Sequence, residues 1–151
     1  MIRIGVDFGG TKIEAAALDA EGRFLSRVRG PSPTAYDDCL EAVRALVAEA
    51  ERQAGSRARA VGVGGPGSTS PASGLMRNSN SVQLNGRPFP VDLAKVLEQP
   101  VRYANDANCM ALSEATDGAG QGARTVFAAM GIDRHYLPVA QQIGGGFDGC
   151  R

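Results

Sequence analysis

Met1-Ile2-Arg3-Ile4-Gly5-Val6-Asp7-Phe8-Gly9-Gly10-Thr11-Lys12-Ile13-Glu14-Ala15-Ala16-Ala17-Leu18 opens the chain with two apolar runs on either side of a glycine pair. Ile2, Ile4 and Val6 alternate with Arg3 and Gly5, the period-two pattern of a strand. Gly9-Gly10 marks a turn, and Ile13 to Leu18 reads as a second, alanine-rich strand. Working outward, Asp19-Ala20-Glu21-Gly22 is a further turn into a third strand, Phe24 to Val28, so the three predict an antiparallel meander. Pro31-Ser32-Pro33-Thr34 ends that run. Leu40, Val43, Leu46, Val47 and Ala50 then recur at helical spacing and stop at Gly55, a helix cap. Ala58 to Val63 predicts a fourth strand. A Gly/Pro/Ser/Asn-rich loop follows over Gly64 to Pro90, with a short strand near Leu75-Met76; loops this long are typically functional or disordered. Val91 to Leu97 predicts a helix, Val101 to Ala104 a fifth strand, Ala107 to Thr116 a helix and Thr125 to Ala129 a sixth strand. The order βββαβαβαβ implies an α/β domain, a mixed β-sheet with flanking helices. Met130 to Arg151 keeps neither period and is expected to be poorly ordered unless tied down.

Composition narrows the function classes. The chain has 151 residues, 43% apolar and 21% charged, enough for one ordinary domain with a real core. Sixteen Lys+Arg balance 16 Asp+Glu, so the basic excess of a nucleic-acid binder is missing. No apolar run approaches the roughly 18 residues of a membrane span, and the N-terminus lacks a signal peptide's apolar stretch. A soluble, cytoplasmic protein is expected. Cys39, Cys109 and Cys150 form no C-x-x-C, and the one histidine, His135, has no cysteine or second histidine nearby to complete a metal site, which favours reduced, structural cysteines over a metal site.

Four segments carry candidate chemistry, each beside a plainer reading. In Asp7-Phe8-Gly9-Gly10-Thr11-Lys12, a carboxylate at a strand end and a glycine turn suit a metal-bound nucleotide. The turn's N–H groups and the Thr hydroxyl would then donate to phosphate oxygens; a Gly-Gly hairpin alone explains the same residues. Gly62-Val63-Gly64-Gly65-Pro66-Gly67 satisfies G-x-G-x-x-G, but Ser68-Thr69-Ser70-Pro71 cannot open the helix that a dinucleotide fingerprint requires. That reading is rejected, leaving a turn that lines a cleft or is only a turn. Asp106, in Asn105-Asp106-Ala107-Asn108, stands where a strand meets a helix, as an N-cap or as a carboxylate that accepts a proton from a substrate hydroxyl. Arg77-Asn78-Ser79-Asn80-Ser81 and Leu84-Asn85-Gly86-Arg87-Pro88-Phe89 offer amides and hydroxyls that suit a neutral polyol, or are ordinary loop residues.

In series, Asp7-x-Gly9-Gly10-Thr11-Lys12, Gly65-Pro66-Gly67, Asn78-x-Asn80, Leu84-Asn85-Gly86-x-Pro88 and Asn105-Asp106-Ala107-Asn108-Cys109 resemble the ROK family of bacterial sugar kinases and repressors, above all its fructokinase (manno(fructo)kinase) branch. The resemblance covers Met1 to Ala129 and implies the N-terminal lobe of a ribonuclease H-like (actin-like ATPase) fold. It implies ATP and Mg²⁺ as cofactors, with Asp7, Gly9, Gly10, Thr11 and Lys12 facing the phosphates and Asp7 reaching Mg²⁺ through water. Gly65, Asn80, Asn105 and Asp106 would face the sugar, with fructose as the expected substrate and Asp106 as general base. The implied reaction passes the γ-phosphoryl of ATP to a hexose hydroxyl, chiefly by positioning and electrostatics.

The departures from the family shape the remaining expectations. A complete family kinase is roughly twice as long, in line with two domains. Met130-Gly131-Ile132-Asp133-Arg134-His135 stands where a glycine-rich second phosphate motif would continue, and the family's zinc motif is absent. The domain division is therefore 1–129 for the lobe and 130–151 for a divergent tail, as in a truncated or frame-shifted kinase of weak or no activity. A non-catalytic sugar-binding fragment is the alternative. A transcriptional regulator fits poorly, because no helix-turn-helix precedes the Asp7 motif. A homodimer is expected to cover an exposed apolar face.

Overall fold

The computed structural model describes residues 1–126. They divide at Asn105, with Met1–Asn105 as the first compact unit and Asp106 opening the second. The first holds β1 (Arg3–Phe8), β2 (Lys12–Leu18), β3 (Phe24–Pro31), α1 (Tyr36–Ala54), β4 (Val61–Gly65), β5 (Ser68–Thr69), β6 (Met76–Arg77), a 3₁₀ turn (Val82–Leu84), α2 (Phe89–Leu97) and β7 (Val101–Asn105). α3 (Asp106–Thr116) opens the second unit.

The alternation seen in the opening stretch becomes the two faces of a sheet. Ile4, Val6 and Phe8 of β1 and Ile13, Ala15 and Ala17 of β2 are buried, whereas Arg3, Gly5 and Asp7 are exposed. The strand order is β3-β2-β1-β4-β7. β1, β2 and β3 form the expected antiparallel meander, and β4 and β7 pair parallel to β1 and to each other. The sheet is thus mixed.

α1 closes the buried face through Cys39 and the adjacent Leu40, then Val43, Val47 and Ala50 at steps of three or four residues. Gly55 caps it in the left-handed region at φ 67°, and the buried Ser26 hydroxyl donates to Ala50 O at 2.8 Å to tie β3 to the helix. α2 adds Phe89, Leu93 and Leu97, also on one face. The Phe89 ring makes edge-on contacts with Phe8, Tyr36 and Tyr103 at centroid distances of 5.2, 6.0 and 6.1 Å, the geometry that aromatic quadrupoles prefer.

Several boundaries differ from the sequence reading. β2 starts at Lys12 rather than Ile13, β3 runs on to Pro31 rather than stopping at Val28, and β7 and α3 meet at Asn105 and Asp106 rather than at Ala104 and Ala107. β4 runs Val61–Gly65 rather than Ala58 to Val63. The Ala58 N–H is taken by the Glu51 carboxylate at 2.8 Å, while Gly64 and Gly65 pair with Ala104 and Asn105. α2 starts at Phe89 rather than Val91, because Pro90 is tolerated within a first helical turn that needs no N–H there. The long loop contains the β5–β6 ladder and the 3₁₀ turn. No strand is assigned at Thr125 and Val126; the rest of the expected sixth strand, the 130–151 tail, His135 and Cys150 lie outside the described residues. No helix among the described residues is long and apolar enough to cross a membrane.

Candidate functional site

Because β1, β4 and β7 are parallel, their carboxyl ends gather at one edge of the sheet. Asp7 stands in register with Gly64, and Gly65 with Asn105. Open α/β sheets place ligands in the crevice outside such ends. Asp7, the turn that follows β1, Gly65 and Asn105, all singled out in the sequence, are therefore brought to one end of the first unit.

The phosphate candidate is the β1–β2 hairpin. Gly9 N–H donates to Lys12 O at 3.0 Å, so Gly10 and Thr11 form the two-residue tip and Gly9 belongs to its base. A Cβ on Gly9 would lie 2.7 Å from Lys12 O, so close approach of the two backbones demands glycine there. Gly10, Thr11 and Lys12 are exposed, as is Asp7. Glu14, across the ladder from Asp7, is engaged with Arg27 at 2.6 Å, leaving Asp7 as the carboxylate open to an incoming cation. Among the described residues no three His, Cys, Asp or Glu groups converge, so a protein-built metal cage does not fit. A single carboxylate beside a glycine turn would suit Mg²⁺, which retains waters and shares its shell with substrate phosphates.

The sugar candidates form a second, tightly tied group. Tyr103 O–H donates to Pro66 O at 2.7 Å and Asn105 Nδ2 to Gly67 O at 3.0 Å, so β7 holds the Gly65-Pro66-Gly67 turn from below. A Cβ on Gly65 would come within 2.7 Å of the Tyr103 hydroxyl. Gly67, at φ 76°, leaves no room for a side chain: its Cβ would lie 2.6 Å from Arg77 O and 2.9 Å from Ser79 N. Asn80 is exposed on the loop after β6, directly beyond the buried Ser79. Gly65 is itself buried, and part of the Asn105 amide is spent on the turn.

Asp106 begins α3 in the second unit, and its Oδ1 accepts the Ala107 N–H at 2.8 Å. That bond goes to the adjacent N–H, whereas a capping bond reaches the second or third N–H of the helix, and the carboxylate's other oxygen retains acceptor capacity. Asn85, offered by the sequence within a polyol-binding segment, instead bonds the backbone of Ser79, and Tyr103 is a positioning group to which the sequence reading assigned no role. The Asn85-Gly86 dipeptide was the available signal for the first, a turn pair whose side chain bonds nearby backbone; for Tyr103 nothing local distinguished it from a packing residue.

The sequence pattern of the ROK family matches residues 3–131. The chain belongs to the ROK family. N-acetyl-D-glucosamine kinase of Salmonella paratyphi C (strain RKS4594) is 43% identical over 114 residues, covering 75% of this chain and 37% of that protein. Among solved structures, the ROK hexokinase from Thermus thermophilus superposes with a TM-score of 0.70 at 38% identity, over 82% of this chain and 41% of its own. The ROK family glucokinase from Streptomyces griseus, solved with glucose and AMPPNP, gives 0.72 at 34% identity, over 82% and 39%. The fold is accordingly the actin-like ATPase fold that the motif series implied. The chain spans little more than a third of the length of the curated ROK relative it matches.

Proposed function

We propose that this ROK chain supplies the phosphate-binding hairpin, the acceptor-sugar residues and the general base of an ATP-dependent sugar kinase. The observation that carries the proposal is the gathering of Asp7, the Gly9–Lys12 turn, Gly65 and Asn105 at the carboxyl ends of three parallel strands. The exposed hairpin tip and Lys12 hold the phosphates, while Gly65, Asn80 and Asn105 orient the sugar. Asp106 accepts the proton of the attacking hydroxyl, which raises the nucleophilicity of the oxygen as it approaches phosphorus. Mg²⁺ near Asp7 neutralises phosphate charge when bound.

The fructose reading rests on the motif series. The names of the relatives, N-acetyl-D-glucosamine kinase, hexokinase and glucokinase, favour an aldohexose or N-acetylhexosamine, and that is the acceptor class proposed. The test is transfer of label from γ-labelled ATP to N-acetylglucosamine, glucose, mannose and fructose. The proposal expects labelled sugar, weak in amount, and a loss of roughly 10²-fold or more in Asp106→Asn. Transfer indifferent to that substitution would overturn the role of Asp106. Sugar binding with no transfer would select the alternative, a non-catalytic sugar-binding chain.

A further inference from the structure

The loop between β6 and the 3₁₀ turn has no ladder of its own, yet it carries Asn80. Its shape is held at one residue, Ser79, from two sides. On one side lies Gly67, where even a methyl group would collide with Ser79 N and Cα at 2.9 Å. On the other lies the Asn85 carboxamide: Ser79 N–H donates to Asn85 Oδ1 at 3.0 Å, and Asn85 Nδ2 donates to Ser79 O at 2.9 Å. The side chain thus pairs with both backbone groups of a single residue, as a neighbouring strand would. Only one orientation of the amide satisfies both bonds, so the pairing itself assigns oxygen and nitrogen.

Asn85 is in turn immobilised. Its N–H donates to Val82 O at 3.1 Å, Gly86 N–H to Met76 O at 2.8 Å, and Met76 N–H to Arg87 O at 2.9 Å. The fully buried Leu84 anchors the segment. On the loop itself, Asn78 reverses the backbone in the left-handed region at φ 56°, and the Ser79 hydroxyl donates to Ser81 O at 3.1 Å. A continuous path therefore runs from Asn105 through Gly67 and Ser79 to Asn85, with Asn80 standing exposed beside it.

We infer that Asn85 is the positioning residue for the acceptor sugar: its carboxamide clamps Ser79 and so fixes the loop that presents Asn80. This rests on the sugar-kinase reading above. Asn85 does not touch the sugar in this account; it acts through Ser79.

The experiment is amide-resolved NMR on the 151-residue chain, comparing wild type, Asn85→Ala and Asn85→Asp, with and without N-acetylglucosamine or glucose. In Asn85→Ala, hydrogen-exchange protection at Ser79 and sugar affinity should each fall roughly tenfold, the scale of losing about one part-buried hydrogen bond. Protection of Val6 and Val63 should persist, showing that the sheet is folded. Asn85→Asp supplies a signature that mere loop packing would not produce. Its ionised carboxylate keeps the bond from Ser79 N–H but faces Ser79 O with a second acceptor; protonated, it regains a donor. Relative to wild type at each pH, its sugar affinity should recover as pH falls toward ~5. Unchanged Ser79 protection in Asn85→Ala, or weakened binding in Asn85→Asp with no recovery, would overturn the inference. A wild-type chain that shows no sugar response at Asn80 would instead sink the sugar-kinase reading, and Ser79 protection would still decide the clamp.

Discussion

Gly67 is the residue at which shape and chemistry are most tightly joined. Its φ of 76° and the backbone atoms of Arg77 and Ser79 both exclude a side chain. Gly67→Ala should cost more than ~1 kcal/mol, read as a shift of the urea midpoint, because alanine is strained there and has no space. Tyr103→Phe should cost about 1 kcal/mol by leaving Pro66 O without its donor, measured in the same way. The glycines at these turns were visible in the sequence, but their reasons were not. Gly9 and Gly67 are required by backbone from strand Lys12 and from the distant Ser79, and such approaches exist only after folding. Asp7 and Asn105 could be placed near strand ends from local pattern alone, since a Gly-Gly turn follows the first and a helical segment the second.

At the scale of elements, α2 and its neighbours form a hub beneath the sugar candidates. Phe89→Ala should destabilise the first unit by roughly 3–5 kcal/mol, as expected for removing a fully buried ring, seen as a large drop in thermal midpoint. Tyr36 adds a pH signature. Its O–H donates to Asp92 Oδ2 at 2.9 Å, and burial, reinforced by the Asp92 carboxylate, pushes the phenol above its usual range. The folded chain holds this proton more tightly than the unfolded one. The contribution is therefore intact below the ordinary value of about 10 and is lost as pH rises above it. Denaturant midpoints measured up to alkaline pH should fall less steeply in Tyr36→Phe than in wild type. The helices were legible from their apolar spacing, and the hairpin strands from alternation. The start of α2 and the bounds of β4 were not, because Pro90 reads as a breaker until it lies in a first turn, and Gly64 and Gly65 carry no strand propensity until β7 pairs with them.

For the whole molecule, the feature on which function turns is the parallel pairing of β1 with β4 and of β4 with β7, segments separated by helices and a long loop. Periodicity announces each strand and says nothing about which neighbour it takes; long-range order is set by burying α1 and α2 on one face. The family resemblance assigned Asp7 to phosphate and Gly65 and Asn105 to sugar, but that strand pairing brings the three to one end of the sheet emerges only in the fold. Under the function proposed above, the first unit carries two ligand surfaces, a hairpin for phosphates and a braced turn and loop for sugar. The most direct test maps both by NMR, titrating the chain with Mg²⁺–ATP and, separately, with N-acetylglucosamine. The account predicts that the nucleotide shifts the amides of Gly9 to Lys12, while the sugar shifts Gly67, Asn80 and the Asn105 side chain. Shifts of both ligands on one common surface, or at neither of these two, would contradict it.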